Sequence, residues 1–138
     1  MPLVTFCLFA SACVTGLLGL IHLFYTFHGN KFDPRDATLA AALQAVSPVI
    51  SRQTTMARAA KGFHASHSLG VLLYALVYGY LAAYQGALLQ QSVFLRALGL
   101  AVLLAYLALA QRYWFSVPLV GIGVATALYA GGLVGGML

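Results

Sequence analysis

Four long apolar segments dominate the pattern of hydrophobic and polar positions along the chain. They run from about residue 3 to 27, 62 to 84, 93 to 112 and 117 to 138. A helix needs about 20 apolar residues to cross the hydrocarbon core of a bilayer, so each segment is long enough to span it. The pattern predicts four transmembrane helices within a single integral membrane domain, residues 1–138.

The links after the second and third segments are short. A glutamine-containing stretch separates the second segment from the third, and Tyr113–Pro118 separates the third from the fourth. Short links join helices that lie side by side and run in opposite directions. The predicted fold class is therefore an all-α membrane protein, an antiparallel bundle of four transmembrane helices.

The first loop, residues 28–61, is the longest polar part of the chain. Asp33-Pro34-Arg35-Asp36 predicts a helix start, with Asp33 as the N-cap, Pro34 at the first helical position and Asp36 at the third. Apolar residues then follow at helical spacing, which predicts an amphipathic helix at the membrane interface. The residues of this stripe are Leu39, Leu43, Val46 and Ile50. Ser47-Pro48 restarts the chain, and a second helical stretch is expected to run directly into the second span.

The composition agrees with a membrane location. The chain is 62% hydrophobic and 7% charged, whereas soluble domains carry about 25% charged residues. Its only two carboxylates, Asp33 and Asp36, lie outside the apolar segments. No transmembrane acid is therefore available as a proton relay, which counts against a transporter. A chain this short would also need to oligomerise to form a transport path.

The basic residues predict the orientation in the membrane. Six of the seven fall on one side, in the first loop or at the third link, and only Arg96 falls on the other. The six are Lys31, Arg35, Arg52, Arg58, Lys61 and Arg112. Positive loops face the cytoplasm, so we expect the first loop inside and both termini outside. With a net charge of +5 beside a membrane, anionic lipid headgroups are the expected partner rather than nucleic acid.

Polar side chains are expected to converge near the cytoplasmic ends of the first two spans if these two helices are neighbours, with Arg52 and Arg58 above them. His22 and Thr26 share one face of the first span, and His64 and His67 share one face of the second. The candidate ligand-binding residues are His22, Thr26, Arg52, Arg58, His64, His67, Ser68, Tyr74 and Tyr78. Interhelical hydrogen bonding is the simpler interpretation of any one of them. Three converging imidazoles also favour a binding site.

The ligand of such a site stays open at this point. Histidine with arginine and lysine suits an anionic headgroup. Imidazole also binds transition metals, and a haem held between two histidines is the related alternative. That alternative would use His22, His64 and His67. The spacing of these residues requires neither a metal nor a haem, and no cofactor is identified.

Small residues recur along the fourth span. Gly123, Ala127, Gly131 and Gly135 are four positions apart and form one face. Gly121, Ala125, Gly132 and Gly136 form a second such face. Small faces allow helices to approach closely. The first face is predicted to serve internal helix packing or contact with another copy of the chain or a membrane partner protein.

The chain lacks the sequence signals of catalysis. It contains no glycine-rich phosphate loop, no nucleophile elbow and no Cys-x-x-Cys pair. The four-span enzymes that act on glutathione or on disulfides need charged or cysteine motifs that are missing here. A function without catalysis is therefore favoured.

Four motifs are distributed over most of the chain. They are Gly19–Leu23, Lys31–Asp36, Gly62–Ser68 and Arg112–Pro118. Together they resemble an uncharacterised family of small bacterial four-span integral membrane proteins. The resemblance implies the four-span fold and a bacterial inner membrane, and it implies no activity.

Two hypotheses follow, besides the transporter. The first is a non-catalytic module that binds a lipid, a hydrophobic ligand or a partner protein through the histidine and arginine cluster. The alternative is a haem- or metal-binding membrane enzyme or electron carrier that uses the three histidines.

Overall fold

The structure is a computed structural model that describes residues 3–136. Within that range the chain forms six α-helices. They are α1 (Leu3–Phe27), α2 (Ala37–Ala45), α3 (Met56–Tyr84), α4 (Gly86–Gln91), α5 (Val93–Tyr113) and α6 (Ser116–Gly135). The last two residues of the predicted fourth span lie outside the described residues.

Four of these helices, α1, α3, α5 and α6, are long and apolar enough to cross a membrane. The prediction of four apolar spans is confirmed, and the chain is a multi-pass membrane protein. Large apolar side chains are exposed along all four helices, for example Leu76 on α3 and Phe94 on α5. In a membrane this surface faces lipid at no cost, because the surrounding acyl chains are equally apolar.

The helical stretch expected after Ser47-Pro48 continues directly into the second span. α3 starts at Met56, six positions before the predicted start of the apolar span at residue 62. The Arg58 amide donates to the Thr55 hydroxyl at 3.3 Å, which satisfies one of the free amides of the first turn. The Met56 amide donates to the Val46 carbonyl at 2.8 Å and ties this start to the end of α2.

The helix in the first loop is shorter than its apolar stripe predicts. It also starts three residues later than predicted: the N-cap is Asp36 instead of Asp33, and the Asp36 carboxylate accepts from the amides of Thr38 and Leu39 at 2.8 and 3.0 Å. It ends at Ala45, and Val46 is already extended. The extension of the stripe through Val46 and Ile50 is wrong. Pro48 explains the early end, since a proline excludes helical backbone from the residue before it.

The described residues form two compact units. One contains the residues up to Leu18 and from Val71 onward, and the other is Gly19–Gly70. In the first unit, side-chain hydroxyls bind helix carbonyls. Ser11 donates to the Ala125 carbonyl at 2.7 Å, and Tyr78 donates to the Leu95 carbonyl at 2.9 Å. The second unit holds the end of α1, the first loop and the start of α3.

The two small faces of α6 have different surroundings. A Cβ at Gly121 would meet Leu18, and one at Gly132 would meet Leu8 within 3 Å, so these glycines permit close packing with α1. A Cβ at Gly123 or Gly131 would meet no described atom within 4 Å. The face predicted from Gly123, Ala127, Gly131 and Gly135 is therefore largely open, although Gly135 lies close to Val4. Contact with another chain stays a prediction.

Candidate functional site

The candidate site lies in the unit formed by Gly19–Gly70. His22 projects from α1, and His64 and His67 project from α3. His22 Nε2 lies 3.2 Å from His64 Nδ1, which is hydrogen-bonding distance. One imidazole must donate and the other accept, so at least one of the two rings is neutral. The predicted convergence of His22 and His64 is therefore present as a direct hydrogen bond.

Two further rings complete the cluster. Phe32 stacks on His64, with ring centroids 4.5 Å apart and planes at 11°. The same phenyl ring lies 4.6 Å from the His22 ring. The His67 ring meets His22 edge-on at 5.2 Å. We call His22, Phe32, His64 and His67 the capped histidine cluster, because a loop residue covers the paired imidazoles.

The loop after α1 turns back sharply to bring Phe32 to this position. Gly29 has φ +82°, a left-handed conformation that glycine adopts without a Cβ clash. The Asp33 amide donates to the Asn30 carbonyl at 3.1 Å and closes the following turn. This local geometry places Phe32, Asp33 and Pro34 beside the start of α3.

A cavity of about 310 Å³ adjoins the cluster, and we call it the loop cavity. Phe32 and His64 form part of both the cluster and the cavity wall. The residues that line the loop cavity are Thr26, Phe32, Asp33, Pro34, Ala40, Ala41, Leu43, Gln44, Ala57, Ala60, Lys61 and His64. The alanines explain the free volume, because α2 and α3 each present two of these small side chains to the cavity.

The polar groups of the loop cavity are few and distinct. Asp33 carries a negative charge, Lys61 a positive one, and Gln44 an amide. The Lys61 ammonium lies over the Phe27 ring, 5.7 Å from its centroid, a cation–π contact. The Thr26 hydroxyl donates to the His22 carbonyl at 2.8 Å, so its oxygen can still accept a hydrogen bond.

A second, open groove runs along α1. It is lined by Leu20, Leu23, Phe24, Phe27 and His28, and most of its surface is apolar. Phe27 belongs to this groove and also carries the ammonium of Lys61. The residue therefore connects an apolar surface to the charged lining of the loop cavity.

The structure brings together only some of the residues predicted for the site. His22, His64 and His67 meet, and Thr26 and His64 line the loop cavity. Ser68 is fully buried and donates to the His64 carbonyl at 3.0 Å, so it supports the helix rather than facing the cavity.

The remaining predicted residues lie apart from the cluster. Arg52 and Arg58 are exposed and do not line the loop cavity. Tyr74 and Tyr78 belong to the other unit. Their hydroxyls donate to the carbonyls of Gly99 and Leu95, at 3.3 and 2.9 Å. Their place on the same helix as His67 does not bring them to the site.

Sequence reasoning missed four contributors to the site, Phe32, Asp33, Gln44 and Lys61. Phe32 and Asp33 carried no sequence signal, because only the folded path of the loop after α1 brings them to the site. Lys61 lies one helical turn before His64, so their shared face follows from spacing alone. Gln44 carried no comparable signal.

The three histidines do not form a metal centre in the observed arrangement. Across residues 3–136, no group of three or more His, Cys, Asp or Glu side chains is placed to hold a metal ion. The hydrogen bond between His22 and His64 already uses one nitrogen of each ring. A metal bound through these nitrogens would have to replace that bond.

Comparison with known proteins returns no relative: no family model, no curated protein and no solved structure matches the chain.

Proposed function

We propose that the protein is a non-catalytic membrane module that binds a membrane lipid, with the lipid headgroup in the loop cavity. The observation that carries the proposal is the lining of this cavity. Alanine and leucine side chains form its walls, while Asp33, Lys61 and Gln44 supply a small number of polar groups. Binding sites for small molecules typically combine an apolar wall with a few polar groups in this way.

The size of the loop cavity favours a headgroup rather than a whole lipid. Its volume of about 310 Å³ lies at the lower end of the range for ligand pockets, about 300–1,000 Å³. The groove along α1 offers an apolar surface for an acyl chain. Phe27 lines that groove and contacts Lys61, so a headgroup and its chain would occupy continuous surfaces.

The arrangement in the membrane forms part of the proposal. We infer a bacterial inner membrane, an antiparallel bundle of four spans, and α2 lying at the cytoplasmic interface. The basic residues of the first loop support this orientation, since positive loops face the cytoplasm. The loop cavity then opens at the depth of the cytoplasmic headgroups.

Cysteine labelling tests the orientation. A single cysteine introduced in place of Gln44 should react with a membrane-impermeant reagent only after the membrane is opened, because the first loop is inside. Cysteines added at either terminus should react in intact cells. Labelling of the termini from the cytoplasmic side alone would reject the proposed orientation. The native Cys7 and Cys13 are replaced by serine beforehand to avoid background.

The lipid site itself is tested by filling the loop cavity. Ala60→Phe inserts a ring into the cavity lining, so retention of lipid in mild detergent should fall at least about tenfold, because headgroup and ring compete for one volume. The measurement is native mass spectrometry of the purified protein, which counts bound lipids directly. The same spectra give the number of chains and test the predicted homo-oligomer.

The matched control is Ala59→Phe. Ala59 is exposed on the same helix and does not line the loop cavity, so this variant should retain lipid as the unmodified protein does. Equal lipid retention by all three proteins would show that the lipid surrounds the helices without occupying the loop cavity, and would reject the proposed site.

A second candidate is the haem or metal site of the three histidines. The His22 ring centroid lies 5.3 Å from that of His64 and 5.2 Å from that of His67, and a metal or haem iron bound at these nitrogens would have to replace the His22–His64 hydrogen bond. A visible absorption spectrum and elemental analysis of the purified protein decide it. A haem band or a stoichiometric metal that disappears in His22→Ala would establish this function instead.

A further inference from the structure

The charge of the loop cavity differs from the charge of the chain. The protein has seven Lys and Arg against two Asp, a net charge of +5. The loop cavity is lined by one residue of each sign, Lys61 and Asp33. A cavity built only to attract anions would not place one of the two carboxylates of the chain in its wall.

We infer that the lipid headgroup bound by the loop cavity is a zwitterion, with a phosphate that contacts Lys61 and a primary ammonium that contacts Asp33. Phosphatidylethanolamine is the lipid class with this chemistry. The inference rests on the proposed lipid-binding function and names the ligand of the same site.

The two carboxylates of the chain have different surroundings. Asp36 is engaged at the start of α2, where it accepts from the amides of Thr38 and Leu39. Asp33 lies three residues earlier and lines the loop cavity. Only Asp33 is therefore placed to accept hydrogen bonds from an ammonium group of a ligand.

The lining also distinguishes a primary from a quaternary ammonium. Trimethylammonium groups are typically held by cages of several aromatic rings. Phe32 is the only aromatic side chain other than His64 that lines the cavity within residues 3–136, and it is stacked on His64. A carboxylate accepts hydrogen bonds from a primary ammonium, whereas a quaternary one has none to donate.

The Lys61 ammonium is the group proposed to contact the phosphate of the lipid headgroup. This ammonium, which lines the loop cavity, is held over the ring of Phe27, which lines the groove along α1. A phosphodiester at this point would leave its ammonium arm directed into the cavity and its chains toward the groove. The Gln44 amide supplies a further donor for phosphate oxygens.

Exchange of one carboxylate tests the inference. The full-length protein in mild detergent is titrated with phosphatidylethanolamine, phosphatidylcholine and phosphatidylglycerol of identical chains, and bound lipid is counted by native mass spectrometry. The unmodified protein should prefer phosphatidylethanolamine by about threefold to fivefold over either of the others, as expected for one exposed ion pair. Asp33→Asn should abolish this preference and raise binding of phosphatidylglycerol.

Asp36→Asn provides the control. It removes the same charge, and asparagine still caps a helix, so the preference for phosphatidylethanolamine should persist. Failure of the inference and failure of the proposed function are distinguishable. Saturable binding with equal affinity for the three lipids, or a preference unaffected by Asp33→Asn, overturns the inference and leaves the lipid site standing. If Ala60→Phe removes no lipid binding, both the inference and the proposed lipid-binding function are overturned.

A competition experiment identifies the source of the headgroup. Glycerophosphoethanolamine carries the same phosphate and ammonium without acyl chains. It should displace the lipid only at concentrations at least about a hundredfold higher, because it lacks the buried apolar contact. Displacement at equal concentration would overturn the lipid assignment in favour of a soluble zwitterion.

Discussion

Gly99→Ala is expected to destabilise the protein more than the same change at Gly16, Gly121 or Gly132, where a new Cβ would also meet close neighbours. A Cβ at residue 99 would collide with the Tyr129 hydroxyl and would lie 2.5 Å from Cε1 of Tyr78 and 2.6 Å from Cζ of Tyr129. Real Cβ contacts are essentially never this short. Either α5 must move or two tyrosine rings must leave their positions.

Neither tyrosine can move freely. Tyr129 is 1% exposed and Tyr78 is 5% exposed. The Tyr78 hydroxyl donates to the Leu95 carbonyl at 2.9 Å, and the Tyr129 hydroxyl lies 3.3 Å from the Arg96 carbonyl. Displacing the rings would break hydrogen bonds in an apolar interior, where a lost partner is costly. We expect a loss of about 1–3 kcal/mol, as for other overpacked cores.

Thermal unfolding in detergent measures this effect. The Tm of Gly99→Ala should fall by roughly 5–10 °C. Gly123→Ala is the matched control, because its new methyl group meets no described atom within 4 Å. The control should leave the Tm unchanged or raise it slightly, since alanine favours helix more than glycine does. Equal melting of the two variants would mean that α5 and the tyrosines are not packed as described.

The sequence predicts the apolar spans well and the helix ends less well. Hydropathy indicates which residues can lie in the hydrocarbon core of the bilayer. The end of a helix instead depends on which backbone hydrogen bonds and caps are available there. α3 extends six residues before the predicted span because Thr55 caps it and the Val46 carbonyl binds its first amide. Neither contact can be read from the apolar pattern, and the bond to the Val46 carbonyl depends on the tertiary structure of the loop.

The histidine cluster was predictable in part, because helical spacing shows which side chains share a face but not which loop residue covers them. His64 and His67 share a face by spacing alone, and the expected depth of His22 matches theirs. The covering Phe32 was not predictable, because the loop after α1 contains other large side chains and only its folded path selects one. Tyr74 and Tyr78, in contrast, were included among the predicted site residues because of helical spacing alone. They continue the face of His67 along α3, yet they bind carbonyls of α5 in a different unit.

His64→Ala is expected to release the loop that covers the cluster. His64 is the residue shared by every feature of the site: it pairs with His22, stacks on Phe32 and lines the loop cavity. A neutral hydrogen bond contributes about 0.5–1.5 kcal/mol, and an aromatic pair contributes a similar amount. Their combined loss should raise the open population of the loop by roughly tenfold or more.

Limited trypsin digestion detects that opening, because Lys31 precedes Phe32 directly and is cleaved when the loop leaves the cluster. Cleavage after Lys31 should accelerate roughly tenfold in His64→Ala, in proportion to the open population. His28→Ala is the control, since His28 is exposed and its ring stacks on Phe24 within α1's last turn, 4.6 Å between centroids. Its cleavage rate should stay within about twofold of the unmodified protein.

Because His64 also forms a wall of the loop cavity, bound phosphatidylethanolamine should slow cleavage of the unmodified protein and not of His64→Ala. Slow cleavage of His64→Ala would mean that contacts outside the cluster hold Phe32 in place.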